Sequence, residues 1–308
     1  MAIVKTDVPM TSELCGRTVK ELAAAYPFFR VRELTKTAFG RTVWALEIGE
    51  GERHVIYSAA HHANEWITAT VLLRFLEQLA ESVQSGGTIY GVPAETLMKY
   101  TTIHAVPMVN PDGVDLVTDA IGPGTDSYEL ARGLAENYPG IPFPEGWKAN
   151  LLGVDLNLQY PAGWLQAREI KFSQGYTRPG PRDYVGRAPL TQREANALAQ
   201  YTEEVDPALV LAYHSQGSVI YWQFENYEIP GARELGEEFA RLSGYKLDDT
   251  PYESGFAGYK DWFLKTFRRP GYTIEVGLGE NPLPISQFDE IYRDNLGILV
   301  TAATGLPG

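Results

Sequence analysis

Short apolar runs alternate with longer stretches of helical periodicity along this chain, and that alternation constrains its fold more than any other feature. Val55-Ile56-Tyr57 is an apolar strand that ends in the small residues Ser58-Ala59-Ala60. Residues 66–81 follow with Ile67, Val71, Leu72, Phe75, Leu76 and Leu79 at helical spacing. Residues 102–109 are strand-like and stop at Asn110-Pro111-Asp112-Gly113, a strong turn signal. Residues 208–213 and 271–276 read as buried strands, and 231–242 and 289–303 as helices. Earlier, Thr11-Ser12 caps a first helix that Tyr26-Pro27 ends, and residues 43–48 alternate like a strand. Residues 119–150 carry many Gly and Pro and read as a long excursion. A helix over 191–204 opens with a Thr191-x-x-Glu194 capping box. Strands alternating with helices predict an α/β fold, with a mixed, mainly parallel central sheet and helices on both faces.

The totals narrow the function. At 308 residues and 44% hydrophobic content the chain can bury one large core or two small ones. No linker, repeat or low-complexity segment divides it, so residues 1–308 are expected to form a single catalytic domain. The net charge is -13 and no Lys/Arg run occurs, which argues against nucleic acid and anionic membranes as partners. Cys15 is the sole cysteine, so disulfides and cysteine metal sites are excluded. No apolar stretch approaches 18 residues and the opening MAIVKTDVPM has no signal-peptide core. A cytoplasmic protein is expected, although a trimmed exported form would read the same. Nothing implies a partner protein.

Five histidines are available: His54, His61, His62, His104 and His214. In open α/β sheets, sites form where strands end and loops converge. His61-His62-Ala63-Asn64-Glu65 follows one strand, and His62-x-x-Glu65 lets an imidazole and a carboxylate reach one point from a single turn. His214 follows the apolar strand 208–213. Two histidines and one glutamate, with water in a fourth position, make a catalytic zinc set. Taken alone the spacing is weak, since a surface histidine beside a helix-starting glutamate looks the same.

Six further landmarks strengthen it. His62-Ala63-Asn64-Glu65-Trp66 is followed by Pro107-Met108-Val109-Asn110-Pro111-Asp112-Gly113, then Trp147-Lys148-Ala149-Asn150 and Gly153-Val154-Asp155-Leu156-Asn157. His214-Ser215-Gln216-Gly217, Asp261-Trp262 and Tyr272-Thr273-Ile274-Glu275 complete the series. In this order, from about Thr11 to Leu299, they resemble the zinc carboxypeptidase family, typified by pancreatic carboxypeptidase A. The resemblance implies a carboxypeptidase A-like fold and one zinc ion per chain held by His62, Glu65 and His214. It implies Glu275 as the general base for a metal-activated water, and Asp155 as the group orienting His62 through its other ring nitrogen.

Four departures from the family bear on the substrate. Where its exopeptidases place Asn-Arg to hold a terminal carboxylate, this chain has Asn157-Leu158, and leucine cannot do so. Lys148 stands where animal relatives place an oxyanion-stabilising Arg. Lys260, before Asp261-Trp262, lies where the floor of the leaving-residue pocket is expected, and suggests a substrate carboxylate there. The family's mobile tyrosine precedes a Ser-Gly pair by three residues; here Tyr252 precedes Ser254-Gly255 by two, and Tyr259 is its rival. GVDLNLQYPAGW, beginning at Gly153, and Gly279-Glu280-Asn281-Pro282-Leu283-Pro284 are similar to the bacterial γ-D-glutamyl-meso-diaminopimelate peptidases. The resemblance thus implies a cell-wall peptide cut between γ-D-glutamate and diaminopimelate. The competing readings are an ordinary carboxypeptidase, with Arg182 or Arg187 in place of the lost Arg, a zinc deacylase of N-acyl amino acids, and a non-catalytic wall-peptide binding module.

Overall fold

Eight strands assemble one sheet in the computed structural model, which describes residues 2–305. Met1 and residues 306–308 of the expected 1–308 unit lie outside the described residues. In chain order the strands are β1 (Arg30–Lys36), β2 (Thr42–Ile48), β3 (Arg53–Ala59), β4 (Thr88–Ile89), β5 (Val92–Pro93), β6 (Thr101–Val106), β7 (Leu209–His214), β8 (Val219–Tyr221), β9 (Lys246–Asp248) and β10 (Gly271–Glu275). β4 and β5 form a separate hairpin; the large sheet runs β1-β2-β6-β3-β7-β10-β8-β9. Its centre, β6-β3-β7-β10, is parallel; β1 with β2, β2 with β6 and β8 with β10 are antiparallel pairs, and β8 pairs parallel with the edge strand β9. The expected mixed, mainly parallel α/β architecture is borne out.

The two-residue period of the central strands builds a core on each face. Val55, Tyr57 and Ala59 of β3 join Leu209, Leu211 and Tyr213 of β7 against the helices Ile67–Gln84 and Phe288–Thr304. Ile56, Val210 and Ala212 point the other way, onto the helices Arg193–Val205 and Tyr259–Phe267. The first helix, Ser12–Ala25, starts where expected, with the Thr11 hydroxyl accepting from the Leu14 amide at 3.1 Å. Among the described residues no helix is long and apolar enough to cross a membrane.

Two local expectations are corrected. Asn110-Pro111-Asp112-Gly113 is a helix start and not a free turn. Asn110 caps the helix Pro111–Val117 by accepting from the Gly113 amide at 3.0 Å, and Pro111 opens it, where a missing N–H costs nothing. Gly113 is required by space: a Cβ there would sit 2.8 Å from the Ala63 methyl. The capping box at Thr191 does not form. The helix begins at Arg193, and the Thr191 hydroxyl donates to Gln159 and to the Ala188 carbonyl.

Glu194 is consequently a buried carboxyl, 2% exposed. Burial, aided by the Asp112 carboxylate, pushes it up from 4.5 to about 7. Between those values the native state keeps a proton that the unfolded chain has lost, so stability falls as pH rises from about 4.5 to about 7 and is level above. The loss amounts to about 3 kcal/mol. Glu194→Gln should erase that slope and be more stable than wild type at pH 8 in denaturant titrations. An unchanged slope in the variant would remove Glu194 as its source.

Candidate active site

The carboxyl ends of three adjacent parallel strands supply the site. β3 runs through Ala59 to His61 and His62, β7 ends at His214, and β10 ends at Glu275, paired in register with His214. A 3-10 turn, Ala63–Glu65, then folds Glu65 back under His62. Asn110 fastens this turn to the opposite wall: its amide donates to the carbonyls of His61, Lys148 and Ala149 at 3.2, 3.2 and 3.0 Å. On the far side, Ser215 Oγ donates to Asn281 Oδ1 at 2.8 Å, and Asn281 Nδ2 returns to the Ser215 carbonyl at 2.7 Å. The loops after β7 and β10 are thereby locked together.

His62, Glu65 and His214 form the group of metal-ligating side chains found among the described residues, with candidate donor atoms within 4.8 Å of one another. His62 Nδ1 lies 2.9 Å from Glu65 Oε1 and His214 Nδ1 lies 2.8 Å from Glu65 Oε2. The two Nδ1 atoms are 3.3 Å apart. Two imidazole nitrogens and a carboxylate thus face one point, the donor chemistry and spacing of a zinc centre. The outer nitrogen of His62 meets Asp155 Oδ1 at 3.1 Å, which fixes Nδ1 as the inward atom. Glu65 is 1% exposed. Burial alone would push its carboxyl up, but His62, Lys148 and His214 hold it well below the usual carboxylate range. Conversely, burial opposes charge on His62, yet Glu65 and Asp155 hold its imidazole up at about 9. The field at this point favours positive charge, and the residues fit a divalent cation.

A cleft of about 620 Å³ opens over the cluster, lined among others by His62, Lys148, Asp155, Glu275 and Lys260. Glu275 is half-buried; burial, with the Glu65 charge behind it, pushes its carboxyl up. Lys148 Nζ donates to Glu65 Oε1 at 3.0 Å. Asn157 and Leu158 line the cleft as well. Asn157 Oδ1 accepts from the Tyr259 amide at 3.0 Å, and Leu158 packs with Ala167, Val185 and Ala257 in an apolar cluster. Lys260 is 3% exposed; its ammonium donates to the Gln223 carbonyl at 2.6 Å and Thr250 Oγ1 at 3.2 Å, and pairs by charge with Asp261 Oδ1 at 2.7 Å.

Other candidates stay apart from the cluster. Tyr252 is 61% exposed on the turn Tyr252–Ser254, and its hydroxyl accepts from Gln166 Nε2 at 2.8 Å. Tyr259 is wholly buried, its hydroxyl 2.7 Å from Thr202 Oγ1, which removes it as a mobile group. His61 stacks on His214 with ring centroids 5.5 Å apart and faces Tyr160. Sequence reasoning missed Lys171 and Asp183, a buried ion pair at 2.7 Å on the cleft wall. Neither stands in a periodic pattern that would single it out.

Two imidazoles and a carboxylate at the ends of parallel strands, with a second carboxylate on the next strand end, define a metal-dependent hydrolase. The chain belongs to the zinc carboxypeptidase family, whose model matches residues 16–297, and it is accordingly a zinc metallopeptidase. It is 45% identical over 284 residues to γ-D-glutamyl-L-diamino acid endopeptidase 1 of Lysinibacillus sphaericus, covering 92% of this chain and 69% of that protein. The fold is that of thrombin activatable fibrinolysis inhibitor, with a TM-score of 0.77 over 99% of this chain and 76% of that one at 15% identity. It is also that of the murein-tripeptide amidase of Escherichia coli O157, with a TM-score of 0.54 over 88% and 91% of the two chains at 20% identity. The family resemblance read from the motifs is borne out.

Proposed function

We propose that this protein is a single catalytic domain, with one zinc per chain held by His62, Glu65 and His214, and hydrolyses the γ-D-glutamyl–diaminopimelate bond of bacterial cell-wall peptides. Bound there, zinc supplies Lewis acidity that polarises a carbonyl and makes water acidic enough to ionise near neutral pH. Glu275 accepts the proton of the attacking water and returns it to the leaving nitrogen. Lys148 meets the negative charge that develops on the carbonyl oxygen in the transition state. Asp155 keeps His62 in the required tautomer. Tyr252 is the candidate mobile tyrosine: Pro251 and Ser254 on either side of it already line the cleft, so a rearrangement of this turn would carry the ring over it.

The observation that carries the substrate reading is Leu158, buried in an apolar cluster where an exopeptidase of this family keeps its carboxylate-holding Arg. Leu158 offers no grip on a terminal carboxylate, so at this position nothing excludes a peptide that continues past the leaving residue. The name borne by the Lysinibacillus sphaericus relative supports the same bond. Mass spectrometry of L-Ala-γ-D-Glu-diaminopimelate after incubation should show free diaminopimelate and L-Ala-D-Glu. Faster trimming of simple dipeptides with free carboxyl ends would defeat the reading.

Lys260 gives the cleft floor a buried cation, where the side-chain carboxylate of diaminopimelate could share the ammonium now held by Asp261 and Thr250. Because that ammonium already has acceptors, its gain belongs at the low end for a charge-assisted contact. Replacing diaminopimelate by Lys should lower kcat/KM about tenfold, and Lys260→Met should remove most of that difference. A preference that survives the substitution would clear Lys260 of the role.

A further inference from the structure

Resting on the substrate reading above, we propose that Arg182 is the residue that reads a free carboxylate of the substrate beside the scissile bond. A γ-D-glutamyl peptide has such groups by its chemistry. The D-glutamate keeps its α-carboxylate because the chain runs through its side chain, and the diamino acid keeps its own α-carboxylate when it ends the peptide. A cleft that binds such a peptide needs an uncommitted cation, and Leu158 is not one.

Of the cations lining the cleft, Arg182 has donors to spare among the described residues. Lys148 is bound to Glu65 at 3.0 Å. Lys171 is buried and spent on Asp183 at 2.7 Å. Lys260 has two hydrogen-bond acceptors and an ion-pair partner. Arg182 uses only Nε, which donates to Asp183 Oδ2 at 2.6 Å, and its side chain is 39% exposed. Both terminal nitrogens of the guanidinium remain for a ligand, and that end presents two parallel N–H donors, the geometry that matches a carboxylate.

The surroundings of Arg182 hold it in place. Asp183 is 8% exposed and carries Lys171 on one oxygen and Arg182 on the other, so the guanidinium is fixed in orientation and its charge is not cancelled. Asp183 adopts a left-handed backbone, φ 64°, which costs energy for a residue with a side chain. Its amide donates to Asp155 Oδ2 at 3.2 Å, the same carboxylate that orients His62. The preceding carbonyl, of Pro181, accepts from the amides of Lys148 and Ala149 at 2.7 and 2.9 Å. Arg182 is therefore tied by backbone to the partner of His62 and to Lys148, within the wall that meets the reacting bond.

The experiment compares wild type, Arg182→Gln and Arg182→Lys on three peptides. These are L-Ala-γ-D-Glu-diaminopimelate, its D-isoglutamine counterpart with the glutamyl α-carboxylate amidated, and its counterpart with the diaminopimelate α-carboxylate amidated. Wild type should lose about tenfold to a hundredfold in kcat/KM on one of the amidated peptides, and that peptide identifies which carboxylate is read. Arg182→Gln should cut the parent peptide with a similar loss and no longer distinguish the two. Arg182→Lys should recover part of it, since a point charge replaces the fork. Parent cleavage by Arg182→Gln at the wild-type rate, or discrimination that persists in it, overturns the Arg182 assignment and leaves the substrate reading intact. If wild type leaves the parent peptide uncut, the substrate reading falls and takes this assignment with it.

Discussion

Replacing His214 by Ala should leave a folded protein that no longer retains zinc and no longer cleaves peptide. The structure offers three protein donors at this point, and a catalytic zinc site normally has no more than three. Losing a group that merely orients a ligand lowers metal affinity about 10–100-fold. Losing the ligand itself must cost more, and Glu65 would keep only His62 beside it. The test is elemental analysis together with thermal unfolding in the presence and absence of a chelator. A metal that binds only the folded state, present at a thousand times its dissociation constant, stabilises that state by about 4 kcal/mol. The chelator should therefore lower the wild-type midpoint and leave that of His214→Ala unmoved. Full zinc occupancy in the variant would take His214 out of the site.

The parts of this molecule that were legible in its sequence are those with a local physical signature. β3, β7 and β10 are apolar runs because helices cover both their faces, and the candidate metal-ligating residues and Glu275 lie at or just beyond their ends. His62 and Glu65 are three residues apart on one turn, so their convergence can be read from spacing; their meeting with His214 across the sheet was inferred from strand ends and from family resemblance. Elements that depend on tertiary context were not legible. β1 is an edge strand with mostly exposed positions and no clean alternation. β8 and β9 are three residues each, too short for a period to show. The helices Trp164–Ser173 and Tyr259–Phe267 start at Gly163 and Gly258, which have no side chain with which to announce a cap.

The same division runs through the site. The Lys171–Asp183–Arg182 group comes together because a non-repetitive, glycine- and proline-containing loop is pinned to Asp155 and Lys148 by backbone hydrogen bonds. No spacing encodes that. Lys260 was legible as an unusual residue at a known landmark, but its three protein partners were not. Asn110 looked like a turn former and is in addition the staple that holds the His62 turn against the Lys148 wall. In each case the residue type pointed to a site, and only the fold shows what already occupies its hydrogen-bonding capacity.

Glu275→Gln should reduce turnover by about 10²–10⁴-fold while zinc, fold and substrate affinity persist. The substitution is nearly isosteric, and the strand that carries it is held by main-chain bonds. β10 pairs with β7 along its length, and the Val276 amide donates to the His214 carbonyl at 2.9 Å. The position of residue 275 over the cluster therefore does not depend on its own side-chain charge. What the amide cannot do is take a proton from water and hand it to the leaving nitrogen, and that transfer exists only on the way to the transition state. The loss should fall on kcat, with KM little changed. A second variant separates charge from reach: Glu275→Asp keeps a carboxylate but withdraws it by about one methylene, and an ångström of misplacement can cost about a hundredfold. If Gln is the worse of the two, proton transfer is the missing function. If Gln turns over near the wild-type rate, the base lies elsewhere, and the strand-end carboxylate beside His214 has only a structural part.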